Sequence, residues 1–234
     1  MPRRPRIHLA GVPVHIMQRG HDRNLCFFDK DDYRTYLGYL GESLVESDCK
    51  LHAYVLMPSH VHLLLTPRKA EAVAGLIMAM GRRYVQYINR RYQRSGHLWE
   101  SRYRSSLIEA NHYLIPSQQF IELNPVRAGL VKDPARYQWS SYRANALGAA
   151  DPLISRHPVY EGLGRGEKTR QMAYRTIANA RRESNEGDRI LLALIQNQPL
   201  GNPRFYARIE RVVGERREPR PRGRPRLEAL GTIS

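Results

Sequence analysis

The sequence predicts an α+β domain in which helices pack on one face of an antiparallel sheet, followed by a small helical, basic C-terminal extension. Three observations point there. Short β-favouring apolar runs occur in four places, apolar residues recur at helical spacing between them, and LHAYVLM is joined to VHLLL at Met57, Pro58 and Ser59, as by a proline turn.

In chain order, IHLAGVPVHIMQRG reads as a first strand interrupted by Gly11 and Pro13. DKDDYRTYLGYLGESLVE follows with acids at its start and Tyr33, Tyr36, Leu37, Leu40 and Leu44 at helical spacing. The hairpin comes next, then a helix over about 70–94 whose stripe of Leu76, Ile77, Met80, Tyr84 and Ile88 faces the sheet. RYRSSLIE is a short fourth strand, and YLIPSQQFIELN a third helix ended by Pro125. The order β-α-β-β-α-β, with one helix more, is the ferredoxin-like plan. Beyond it, DPARYQWSSYRANALG reads as a short helix packing Trp139 and Tyr142 on the core. The chain thus divides into a main domain over 1–150, a linker over 151–166 marked by Gly162, Gly164 and Gly166, a helical basic unit over 167–215 and a tail over 216–234. The tail is too rich in Pro and Arg to bury a core, so disorder is expected there.

Against 22 acidic residues stand 38 Lys and Arg, a net charge of +16 that favours a polyanionic partner, most simply nucleic acid. The charge runs the length of the chain and marks no single surface. Cys26 and Cys49 form no CxxC pair, which argues against a structural zinc and a disulfide framework and suits a reducing cytoplasm. No apolar run approaches a membrane span, and the stretch after MPRRPR is too short and interrupted for a signal peptide. A cytoplasmic protein without membrane contact is expected.

The chemistry concentrates on PSHVHLLLTP. Strand residues i and i+2 share a face, so His60 and His62 present both imidazoles on one side. Two strand histidines are more often a packed or surface pair than half a metal site. FIELNPVRAGLV, about sixty residues on, places Asn124 four residues after Phe120 and on the same helical face, where an amide oxygen is a reasonable third ligand for a hard divalent ion. With no thiolate present, the set suits Mn²⁺ or Mg²⁺ better than a closed zinc site.

Four separated motifs in order (the HVH strand, GHLWESRYRSSLIE, the helix ending IELNPVRAGLV and WSSYRANALG) resemble the REP-associated tyrosine transposases, relatives of the single-tyrosine insertion-sequence transposases in the HUH single-strand endonuclease superfamily. The resemblance covers about residues 5–150. It implies that His60, His62 and Asn124 bind a divalent metal that polarises a scissile phosphate, that a helix-borne tyrosine attacks phosphorus to leave a 5′-phosphotyrosine and a free 3′-OH, and that single-stranded or hairpin DNA of the repetitive extragenic palindrome type is the partner, bound by a monomer or homodimer.

The chain departs from that pattern at the nucleophile. Relatives carry tyrosine four residues before the asparagine, whereas this chain has Phe120, which lacks a hydroxyl and cannot attack. Either a natural lineage that lost cleavage or an engineered Tyr→Phe change accounts for it, and a non-catalytic DNA-binding regulator is the alternative function. Pro116, one turn earlier, is expected to kink the helix that aims position 120. Tyr113 shares the face but sits roughly 10 Å along the axis, too far for the same phosphate.

Arg83, Arg90 and Arg94 on one face of the second helix, with Arg19 and Arg23 in QRGHDR, are the expected DNA contacts, while Trp99 either stacks a base or packs. Arg222 and Arg224 in RPRGRPR form an AT-hook-like segment suited to a narrow A·T minor groove, or a merely sticky tail.

Overall fold

A computed structural model describes residues 6–180 and 185–214. Four strands, β1 (Val14–Arg19), β2 (Cys49–Met57), β3 (His60–Pro67) and β4 (Arg104–Leu107), form one sheet in the order β2-β3-β1-β4, with every pair antiparallel. Helices α1 (Lys30–Ser47) and α2 (Ala72–Arg91) are the two crossovers, which gives the expected ferredoxin-like connectivity. A capping box starts α1: the Asp29 carboxylate accepts from the backbone N–H groups of Asp31 and Asp32, and Asp32 accepts from the N–H of Asp29. The stripe Leu76, Ile77, Met80, Tyr84 and Ile88 of α2 is buried against α1 and the sheet face carrying Ile16, Leu63 and Leu65.

Helices on one face describe only these two crossovers. The opposite face is covered as well, by α3 (Ala110–Glu122), α4 (Asn124–Arg127), α5 (Tyr142–Leu147), α6 (Pro158–Glu161), α7 (Glu167–Ala180) and α8 (Glu186–Gln196), while α9 (Pro203–Val213) returns its Phe205 and Ile209 to the first core. The reason lies in the strands. Residues 51–57 of β2 and 61–65 of β3 are buried without interruption, so both of their faces need cover and a single helical layer leaves one of them wet. Ala53, Val55, Met57 and Leu64 meet Leu114, Ile121 and Tyr174 in this second core.

Both sheet edges are closed by the C-terminal half. Leu56 N–H donates to the Trp139 carbonyl (2.9 Å) and Ser141 N–H to the Tyr54 carbonyl (3.0 Å), while Leu200 exchanges bonds with Leu107 (2.8 Å) and Glu109 (2.9 Å) beside β4. The boundaries expected at 150 and 166 therefore fall where packing runs on. Tyr160, in the expected linker, is buried in the second core, where α6 packs on α3 and α7. The tail beyond residue 214 lies outside the described residues. Among the described residues no helix is long and apolar enough to cross a membrane.

Candidate metal and nucleic-acid site

On β3, His60 lies opposite Arg19 of β1, and His62 opposite Met17, so both imidazoles point to the face covered by α3. Their ring centroids are 5.2 Å apart with planes at 84°. Asn124, at the start of α4, lies beside His60. Burial first, then the nearby Arg19 charge, pushes His60 down to about 4 against the opposing pull of Asn124. Burial also holds the His62 ring well below its ordinary range, and it competes for protons with His15 and His60 beside the charges of Arg19 and Arg127. Both rings are thus neutral at pH 7, the state that offers a lone pair to a metal. Among the described residues no group of three His, Cys, Asp or Glu side chains is placed to hold an ion. An ion here would draw its protein ligands from two neutral imidazoles and an amide oxygen, a donor set without thiolate.

Phe120 reaches the same place from α3. Its ring stands edge-on to His62 (centroids 6.0 Å, 81°) and to His15 (5.8 Å, 69°), and the Arg127 guanidinium lies 4.6 Å from its centroid. The chain at Leu123 stays in the right-handed helical region, so α3 and α4 keep Phe120 and Asn124 on one face. α3 continues past Pro116, one turn before Phe120, as far as Glu122.

What holds this helix end is a buried carboxylate. Glu122 Oε1 accepts from Ser141 Oγ (2.6 Å) and Asn145 Nδ2 (2.7 Å), and Oε2 accepts from the Tyr174 hydroxyl (2.7 Å). Burial pushes its carboxyl up to about 7, against the three hydrogen bonds that favour the charged form.

The arginines divide. Arg19 faces His60 directly, and the exposed Arg23 sits in a left-handed turn (φ 61°) after Asp22 (φ 50°), in a loop bonded to the HVH turn by Gly20 N–H to Ser59 O (2.8 Å) and Cys26 N–H to Pro58 O (2.8 Å). Gly20 is required there: a Cβ would lie 2.3 Å from the Asn24 carbonyl oxygen. Arg83, one of the expected DNA contacts, pairs with Glu42 of α1 and lies over Tyr39, on the sheet face away from the histidines. Arg90 is exposed, and the Arg94 guanidinium lies 5.5 Å from the Phe28 centroid. Trp99 packs beside Tyr84, and the Tyr113 hydroxyl accepts from Arg189 (2.8 Å). Arg222 and Arg224 lie outside the described residues.

Three residues of this site escape sequence reasoning: His15, Arg127 and Glu122. Arg127 carries a usable signal, since it falls seven residues after Phe120, two helical turns on. His15 carries none within VHIM, where it reads as one polar residue in an apolar strand.

Residues 9–124 match the family model described as Transposase IS200 like, and this segment contains β1 to β4, the histidine pair, Phe120 and Asn124. The chain belongs to the IS200-like transposase family. A solved REP-associated tyrosine transposase bound to a REP hairpin is 15% identical and superposes with a TM-score of 0.56 over 68% of this chain and 93% of that one, which shows a common fold. A candidate transposase from Deinococcus radiodurans R1, 24% identical, aligns with a TM-score of 0.37 over 52% of this chain and 96% of that one. No curated protein matches the chain.

Proposed function

We propose that this IS200-like transposase chain binds single-stranded or hairpin DNA of the repetitive palindromic type, holds Mn²⁺ or Mg²⁺ on His60, His62 and Asn124, and does not cleave. One observation carries the reading: the position one helical turn before Asn124 is a phenylalanine whose ring already touches the histidine that would bind the ion. A divalent ion bound there would polarise a phosphate and stabilise charge developing on its oxygens. The chain's own residues do the rest. His60 and His62 stand on a sheet strand and Asn124 at a helix start pinned through Glu122, so the three donors are fixed before ligand arrives. Arg127 beside Phe120 and Arg19 beside His60 offer guanidinium groups to a phosphate that enters between them. At position 120 no oxygen is available to attack phosphorus, so no phosphotyrosine forms. The fold likeness to a transposase bound to a REP hairpin supports the choice of DNA. A regulator that binds such DNA without chemistry is the reading that Phe120 favours for the chain as written.

Fluorescence anisotropy with a labelled hairpin bearing a single-stranded flank, against a blunt duplex of the same sequence, tests it. Preferential binding of the flanked hairpin, with the oligonucleotide intact after incubation in Mn²⁺, is expected. Equal binding of the blunt duplex removes the single-strand reading, and cut product removes the placement of the nucleophile.

A further inference from the structure

Beneath the histidine pair lies a third histidine that the proposed ligand set leaves unused. His15 of β1 is completely buried, between Leu64 on one neighbouring strand and Ser106 on the other. Its Nε2 is 2.9 Å from His62 Nδ1, while its own Nδ1 has no hydrogen-bond partner among the described residues. The neighbouring Ser106 hydroxyl donates to the Gln198 carbonyl (2.6 Å) and makes no hydrogen bond with the His15 ring. The same ring meets Phe120 at 5.8 Å.

A fully buried position in the middle of a sheet is filled at least as well by leucine or phenylalanine, which leave no nitrogen stranded. What histidine adds is the single bond to His62. That bond decides which nitrogen of His62 faces the ligand side. With Nδ1 engaged by His15, only Nε2 of His62 is open, and Nε2 carries a lone pair in the neutral ring only when the hydrogen sits on Nδ1 and is donated to His15. His15 then accepts at Nε2 and holds its own hydrogen on the stranded Nδ1. The opposite assignment puts a hydrogen on His62 Nε2 and closes it to a cation.

We propose that His15 is a positioning residue that orients the His62 ring and, by accepting from its Nδ1–H, fixes it in the tautomer that can ligate a divalent cation. This deepens the metal reading given above and rests on it. Because His15 touches both His62 and the side chain at position 120, it also sets the spacing between the ligand and the position from which a nucleophile would act.

The test measures Mn²⁺ affinity of the full chain by the loss of the free-ion electron paramagnetic resonance signal, beside thermal unfolding in the absence of metal. His15→Phe removes the bond and keeps a ring of similar size, so affinity is expected to fall roughly 10- to 100-fold, the usual loss when such a supporting partner is removed. Its metal-free unfolding temperature should hold or rise, because a stranded nitrogen has gone. His15→Gln places an amide oxygen that can accept from His62 Nδ1 and should recover a substantial part of the affinity. Unchanged Mn²⁺ affinity in both variants, with His60→Ala abolishing binding, overturns the role of His15 and leaves the metal reading intact. If the unsubstituted chain has no saturable Mn²⁺ site that His60→Ala removes, the metal reading falls and this role with it. Affinity that drops only in step with a lower unfolding temperature makes His15 a packing residue and equally overturns the proposal.

Discussion

Glu122→Gln should make the protein more stable than the parent by a margin that grows from acid to alkaline pH. The carboxyl is completely buried, and its folded value is raised from 4.5 to about 7. Between those values the folded chain binds a proton that the unfolded chain has released, so stability falls as pH rises through the window and the loss is complete above the folded value. Linkage puts the loss at about 1 kcal/mol at pH 5 and about 3 kcal/mol at pH 8. Glutamine retains an oxygen for Ser141 and Asn145, and the Tyr174 hydroxyl can turn to accept from the new amide, so the three contacts survive without the charge. Calorimetry of both chains at pH 5 and pH 8 isolates the effect as a double difference, since the other titrating groups are common to both. The variant should gain about 2 kcal/mol on the parent between the two conditions, or roughly 4–8 °C in unfolding temperature. A gap that does not change with pH, or a variant less stable than the parent at pH 8, would show that the hydrogen bonds keep Glu122 charged and that burial is not the dominant influence.

Other outcomes follow from the same geometry. Gly20→Ala, whose Cβ would press on the Asn24 carbonyl oxygen, should destabilise by about 1–3 kcal/mol in denaturant titrations, the usual toll of overpacking. Arg19→Ala should move the His60 titration followed by NMR upward from about 4, but not as far as 6.5, because burial is the larger cause and remains. Arg127→Ala should weaken hairpin binding and reduce the salt dependence of its affinity by about one ion's slope, whereas Arg83→Ala, already paired with Glu42, should leave both nearly unchanged.

The first half of the fold is legible because its periodicities are clean. The α2 stripe, the acids that cap α1 and the proline turn before HVH each point to one local structure, and their order supplies the topology. The second face is harder to read. From Leu114 to Glu122, α3 is buried on every side, so Ser117, Gln118, Gln119 and Glu122 blur the apolar stripe that marks an ordinary surface helix. Their partners are distant in sequence: Gln119 donates to Tyr174 O and Glu122 accepts from Ser141 and Asn145. No local pattern announces such pairs, which is also why residues 151–166 read as a linker. At the site, the i, i+2 spacing pairs His60 with His62 and the i, i+4 spacing pairs Phe120 with Asn124, whereas the meeting of the two pairs is implied by the family resemblance and by neither spacing. His15 depends on the register between β1 and β3, which no property of the VHIM run encodes.

The direct test of the account is a denaturing-gel assay for a covalent protein–DNA adduct, comparing the chain with Phe120→Tyr on hairpin oligonucleotides with single-stranded flanks in Mn²⁺. His60→Ala in the Phe120→Tyr background serves as control. An adduct formed only when position 120 is tyrosine, and lost again with His60→Ala, is the predicted result. An adduct with phenylalanine at 120 would contradict it by placing the nucleophile elsewhere, and no adduct with tyrosine, despite tight binding, would contradict the claim that the rest of the cleavage site is intact.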